Sequence, residues 1–191
     1  MDRPVMLPQS ARKDESPDSG YRPVATYMEL RDMVFASDPA KLGCRKPDTR
    51  DLVWGMVIET GYPDAVATII VLADGTISLY FSSGGGLVGL GDYEHIAEAG
   101  QRLLSLGDLL TPNFDQASDY SLPERSHTRV YLMAFSGFLA AEVSLNAPWK
   151  QPGMMALASR AQELFATIRE LADQIAEQRE GRQAAEPRRM N

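Results

Sequence analysis

Cysteine and histidine are almost missing from this sequence. Cys44 is the single cysteine, so no intramolecular disulfide framework and no multi-cysteine metal site can form. His95 and His127 are the only imidazoles, which excludes a His-rich metal cage within one chain. No apolar run approaches the ~18 residues of a membrane-spanning helix. No apolar stretch of about 7–15 residues follows Arg3, so a secretory signal peptide is not expected. A basic face is also lacking. The chain carries −7 overall; residues 1–25 hold four acids against four bases, and the stretch from Glu177 holds four arginines against three acids. The core, 26–176, therefore carries −8, the wrong sign for gripping a phosphate backbone. These absences predict a cytoplasmic protein that binds neither nucleic acid nor membrane and uses no cofactor.

What is present is enough for one packed domain. Of 191 residues, 44% are hydrophobic and 24% charged, close to the globular norm. The ends differ from the middle. Residues 1–25 contain Pro4, Pro8, Pro17 and Pro23 and no apolar period, which predicts a mobile arm. A single α+β domain is expected over 26–179 and a polar, disordered tail over 180–191.

Periodicity orders the middle into helices and strands. Tyr27, Leu30 and Val34 are spaced 3 and 4, one face of a helix over Thr26–Phe35. Leu52–Glu59 and Ala65–Ala73 are apolar strands, the second apolar on both faces as a central strand should be. Asp74-Gly75 is a hairpin turn, and Thr76–Ser82 then alternates, with Thr76, Ser78, Tyr80 and Ser82 on the face expected to meet solvent. After a Gly-rich stretch, Asp92 is the expected N-cap of a helix running from Tyr93 to about Leu110. Gly100 and Gly107 lie within it, and close approach of this helix to the sheet would offset their cost of roughly 1 kcal/mol each. Thr111–His127 is a long polar connection, with Phe114 and Tyr120 among acids, suited to an interaction loop or to a slack one. Thr128–Phe135 and Phe138–Leu145 form a second hairpin. The sum is an antiparallel sheet of about five strands packed by two to three helices.

The last helix, from near Pro152 to about Gln178, has the most regular pattern. Met154, Leu157, Ala161, Leu164, Ile168, Leu171 and Ile175 step 3, 4, 3, 4, 3, 4. This heptad seam is about 32 Å long, whereas a six-residue strand needs about 20 Å of cover. Either the surplus, Ile168, Leu171 and Ile175, faces a second copy in a homodimer, or the seam covers the sheet and then packs on the 26–35 helix of the same chain.

Helix, three-strand meander, helix, hairpin and long C-terminal helix resemble, in that order, the roadblock and longin-type, profilin-like modules. The resemblance rests on Val53–Ile58, Val66–Ala73 with its Asp74-Gly75 turn, Thr76–Phe81, Arg129–Phe135 and Phe138–Leu145, over about 28–176. The chain departs from that pattern by placing three strands before the middle helix and two after it. The resemblance implies a non-enzymatic platform that dimerises and scaffolds or regulates another protein.

Candidate chemistry is sparse. Gly84-Gly85-Gly86-Leu87-Val88-Gly89 matches GxGxxG, but the strand before it alternates and no strand follows its helix closely. A milder use survives: Gly84, Gly85, Gly86 and Gly89, with the next helix N-terminus, are the candidate ligand or anion site. Glu94, His95 and Glu98 share a helix start without the two-His spacing of a metal site. Ser136-Gly137 lacks a nucleophile frame, and Cys44, beside Arg45 and Lys46, has no nearby His. No catalytic residue is expected. The leading expectation is a protein–protein interaction module; the alternative is a small enzyme or ligand-binding protein using the 84–91 loop.

Overall fold

A computed structural model describes residues 20–47 and 52–185. Helix α1 (Ala25–Phe35) precedes a meander of β1 (Val53–Gly61), β2 (Val66–Leu72) and β3 (Ile77–Phe81), then β4 (Gly86–Leu87) and helix α2 (Glu94–Leu109). Strands β5 (Asp115–Gln116), β6 (His127–Ala134) and β7 (Gly137–Ser144) follow, and helix α3 (Pro152–Ala185) closes the described chain. All strands join one antiparallel sheet in the order β4-β3-β2-β1-β6-β7-β5. The sheet thus has seven strands where five were expected. The two additions are two-residue edges, too short for any alternation to show in sequence. Backbone pairing to β3 and β7 alone defines them.

The sheet is covered on both faces, and its alternation sorts side chains between two cores. Met56, Ile58, Ala67, Ile69, Ile77, Leu79, Val130 and Leu132 face α2 and α3. Trp54, Val57, Ile70, Leu72, Tyr131 and Met133 face the other way, with Val34, Phe35 and Leu42 from α1 and the loop after it packed against them. Strand β2 is buried at all seven positions, as a central strand with two covered faces requires. The second cover corrects one expectation. Ser78 and Ser82, placed on a solvent face by alternation, are buried. The approach to α1 lies along this end of β3: Val24 N–H donates to the Ser82 carbonyl at 2.9 Å, and Ser82 Oγ accepts Val66 N–H at 2.8 Å.

Helix α2 lies across β1, β2 and β3 and against α3. Its two internal glycines make that approach possible. A Cβ on Gly100 would sit 2.5 Å from Ile77 Cδ1, and one on Gly107 would meet the Met56 methyl. Asp92 is not its N-cap. It lies in a 3-10 turn at Leu90–Asp92, and Tyr93 occupies the cap position without a side-chain hydrogen bond.

The α3 seam is spent within the chain. Met154, Leu157, Leu164, Ile168 and Leu171 are buried in the core shared with α2 and the sheet, and Ala161 and Ile175 pack against it. Ile168 is 0% exposed. The cover of these side chains is α2 and not the expected 26–35 helix, whose Val34 and Phe35 pack on the opposite face of the sheet. Helix α3 also continues past Gln178 to Ala185. Residues 1–19 of the expected arm and 186–191 of the expected tail lie outside the described residues. The last part of the arm packs on the fold: Tyr21 is buried, and the Arg125 guanidinium stands 5.6 Å from its ring centre while its Nη2 donates to the Gly20 carbonyl at 3.0 Å.

Candidate ligand cavity

Where α2 stops covering the sheet, a cavity of about 380 Å³ opens between the sheet and α3. Its floor is two cross-strand rows. Ile69, Ile58 and Val130 form one; Ala67, Thr60, Thr128 and Val143 form the next. Leu157, Ala158, Ala161, Gln162 and Phe165 of α3 form the roof, and Leu145, Pro148 and Trp149 the wall. The void has a simple cause: Ala67 below and Ala158 and Ala161 above are too small to meet across the layer. The walls are mostly apolar. The hydroxyls of Thr60 and Thr128 hydrogen-bond each other at 3.0 Å, so the polar atoms of the floor are partnered without water.

A second, more open cleft of about 470 Å³ continues along the same helix. It is lined by Leu79, Phe81, Gly86 and Leu87 on the sheet side and by Phe165, Arg169, Ala172 and Asp173 on α3. Tyr62 and Phe165 line both spaces. Their rings stack at 6.3 Å between centres with 25° between planes, forming the partition. Tyr62 sits in the β1–β2 turn, where its N–H donates to the Ala65 carbonyl at 2.9 Å.

The structure divides the glycines expected to act together. Gly86 lines the second cleft and pairs with Tyr80 in the edge hairpin, where a Cβ would strike the Leu79 carbonyl. Gly84, Gly85 and Gly89 have φ of 104°, 82° and 72°, so they serve the turns on either side of β4 and line neither space. Glu94, His95 and Glu98 are exposed; Glu98 pairs with Arg102 at 3.2 Å and His95 lies edge-on to Tyr93. Among the described residues no group of three or more His, Cys, Asp or Glu stands ready for a metal ion. Burial and then the Asp74 carboxylate push the Cys44 thiol up, although Arg45 and Lys46 stand beside it in sequence and neighbouring cations would lower it. The 111–127 connection is tied down in several places: Phe114 is buried, Asp115–Gln116 pairs with β7, and Tyr120 stacks on Tyr131.

On the opposite face a charged layer crosses the sheet. Glu59, Arg129 and Glu142 are register neighbours on β1, β6 and β7. Arg31 of α1 binds Glu59 through Nε at 2.7 Å and Nη2 at 2.9 Å. Arg129 binds Glu142 through Nε at 2.5 Å and Asp119 through Nη1 at 2.7 Å. Burial works against the Arg31 charge, but the hydrogen bonds and charge of Glu59 outweigh it and raise the guanidinium pKa. Each guanidinium here is matched by carboxylates. The layer holds α1 and the 117–126 connection to the sheet rather than opening toward a substrate.

Tyr62, Phe165, Thr60 and Thr128 escaped the reading of the sequence. A faint signal existed for two neighbours and one partner: Ala158, Phe165 and Ala172 fall on α3 beside the seam, where an exposed helix face would carry charge. The chain matches no protein-family model, no curated protein and no solved structure, so its function is read from this geometry.

Proposed function

We propose that this protein binds a small apolar molecule in the cavity between the sheet and α3. The observation that carries the reading is a partly open cavity of about 380 Å³ with mostly apolar walls, floored by a mutually bonded Thr60–Thr128 pair. Such a volume is within the ~300–1,000 Å³ of ligand sites, which are mostly apolar with a few placed polar groups. A charged ligand gains little here, because among the described residues no ionisable side chain lines the first cavity except the Tyr62 phenol at its edge. The dimerising platform implied by the sequence resemblance has less support. Ile168 and Leu171 are covered by the chain itself, and both sheet edges are two-residue strands that offer little for strand addition.

The test is titration with the neutral fluorescent probe N-phenyl-1-naphthylamine. Wild type should bind one equivalent saturably, and its melting temperature should rise with probe as RT ln(1 + [L]/Kd) requires. The double substitution Ala158→Leu with Ala161→Phe fills the void from the roof and should abolish binding while the protein stays folded. Absence of saturable binding to wild type, or undiminished binding by a folded filled variant, would overturn the proposal.

A further inference from the structure

The two spaces lie end to end along one helix. On α3 the first is bounded by Leu157 to Phe165 and the second by Phe165 to Asp173, eight helical steps each, about 12 Å apiece at 1.5 Å per residue. Leu157, Ala161, Phe165, Arg169 and Asp173 step by four, so a single row of the helix surface roofs both. The stacked Tyr62–Phe165 ring pair lines both spaces and stands between them. Both rings reach the surface: Tyr62 is 41% exposed and lies in a turn, and Phe165 is half-buried. The first space is the less open of the two, and both are lined mainly by apolar surface. The open space has the charged residues Arg169 and Asp173 at its rim.

We propose that the two spaces are one site with a movable partition, and that its ligand is a single unbranched chain with a polar end. This rests on the reading of the first cavity as a ligand site. The chain's apolar tail fills the space over Ile58, Ile69 and Val130, passes between the rings of Tyr62 and Phe165, and leaves its polar end in water near Arg169 and Asp173. A compact ligand would use the first cavity alone. The length along α3, about 24 Å for both spaces, selects an elongated one.

The experiment is displacement of N-phenyl-1-naphthylamine by primary alcohols from hexanol to tetradecanol. If the partition opens, affinity should rise about fourfold for each added methylene through the whole series, the value for burying one CH2. Ala172→Trp, which obstructs only the second cleft, should leave hexanol unchanged and weaken tetradecanol at least tenfold; Leu87→Trp obstructs it from the sheet side and should do the same. A wild-type affinity that levels off or falls partway along the series would show a fixed partition and overturn the proposal. So would folded Ala172→Trp and Leu87→Trp proteins that bind tetradecanol as wild type does. In both cases hexanol still displaces the probe, and the reading of the first cavity stands. A wild type that never binds the probe would remove that reading, and this proposal with it.

Discussion

Arg31 on α1 and Glu59 on β1 meet through two hydrogen bonds, at 2.7 and 2.9 Å, with side chains 5% and 0% exposed. Tyr27 Oη and Thr68 Oγ1 also donate to Glu59 Oε1, at 3.3 and 3.4 Å. The pair fastens the first helix to the face of the sheet opposite the cavity. Coulomb attraction between the two is largely spent on desolvation, so their value lies in being matched.

Removal of one partner should therefore cost far more than removal of both. Arg31→Met alone leaves a carboxylate buried without its cation and should lower unfolding free energy by about 3–5 kcal/mol. Arg31→Met with Glu59→Leu should recover most of that loss. Urea denaturation of the two single variants and the double variant measures the difference, and a double variant as unstable as the singles would contradict it.

The second charged cluster gives an acid dependence. Ser121 hydroxyl and backbone N–H bonds, together with Arg129, hold the Asp119 carboxyl down to about 2, against partial burial. A carboxylate depressed in the folded state contributes stability above its unfolded pKa of about 3.9 and loses it as pH falls through the folded value. Stability should decline between about pH 4 and pH 2, and Asp119→Asn should flatten part of that decline. Melts across this range, wild type against variant, provide the check.

The close contact of α2 with the sheet predicts a ranking of glycine substitutions. At Gly100 a side chain meets Ile77 Cδ1 at 2.5 Å and Val71 Cγ1 at 3.3 Å, both from β-branched, buried residues that cannot swing away. Gly100→Val should destabilise by about 1–3 kcal/mol or more through overpacking. At Gly107 the nearest atom is the end of the flexible Met56 side chain, so Gly107→Ala should cost less. Equal losses in chemical denaturation would mean that the helix simply shifts outward.

The α3 seam makes a prediction about folding rather than assembly. Ile168 is wholly buried, so Ile168→Glu places a charge in the chain's own core and should unfold it or cost several kcal/mol. The loss should be independent of protein concentration. A concentration-dependent melt of the variant, or a folded monomer replacing a wild-type dimer in sedimentation, would instead put this residue at an interface between copies.

Much of the architecture was legible because it is written in local chemistry. The helix over 26–35, the Asp74-Gly75 turn with Gly75 at φ 91°, five strands and the long last helix each follow from periodicity or from a turn residue. Even the approach of α2 to the sheet could be read from two glycines that a free helix would not keep. The two edge strands were not legible, since two residues cannot display a period. Nor was the buried side of Ser78 and Ser82, because alternation tells which residues share a face and not what covers that face.

The sequence by itself determined the elements, their order and the residues that must be inside. The tertiary structure decided what those insides touch. Ile168 and Leu171 were marked apolar by spacing, but only the packing of α2 beside α3 shows that their cover is intramolecular. Arg31 reads as a solvated charge one step from Tyr27's row until β1 places Glu59 opposite it. The cavity is the clearest case. It exists because Ala67, Ala158 and Ala161, from a strand and a helix about 90 residues apart, face each other across a layer that none can fill. A void is a property of facing surfaces, and no local pattern in a chain encodes which surfaces will face.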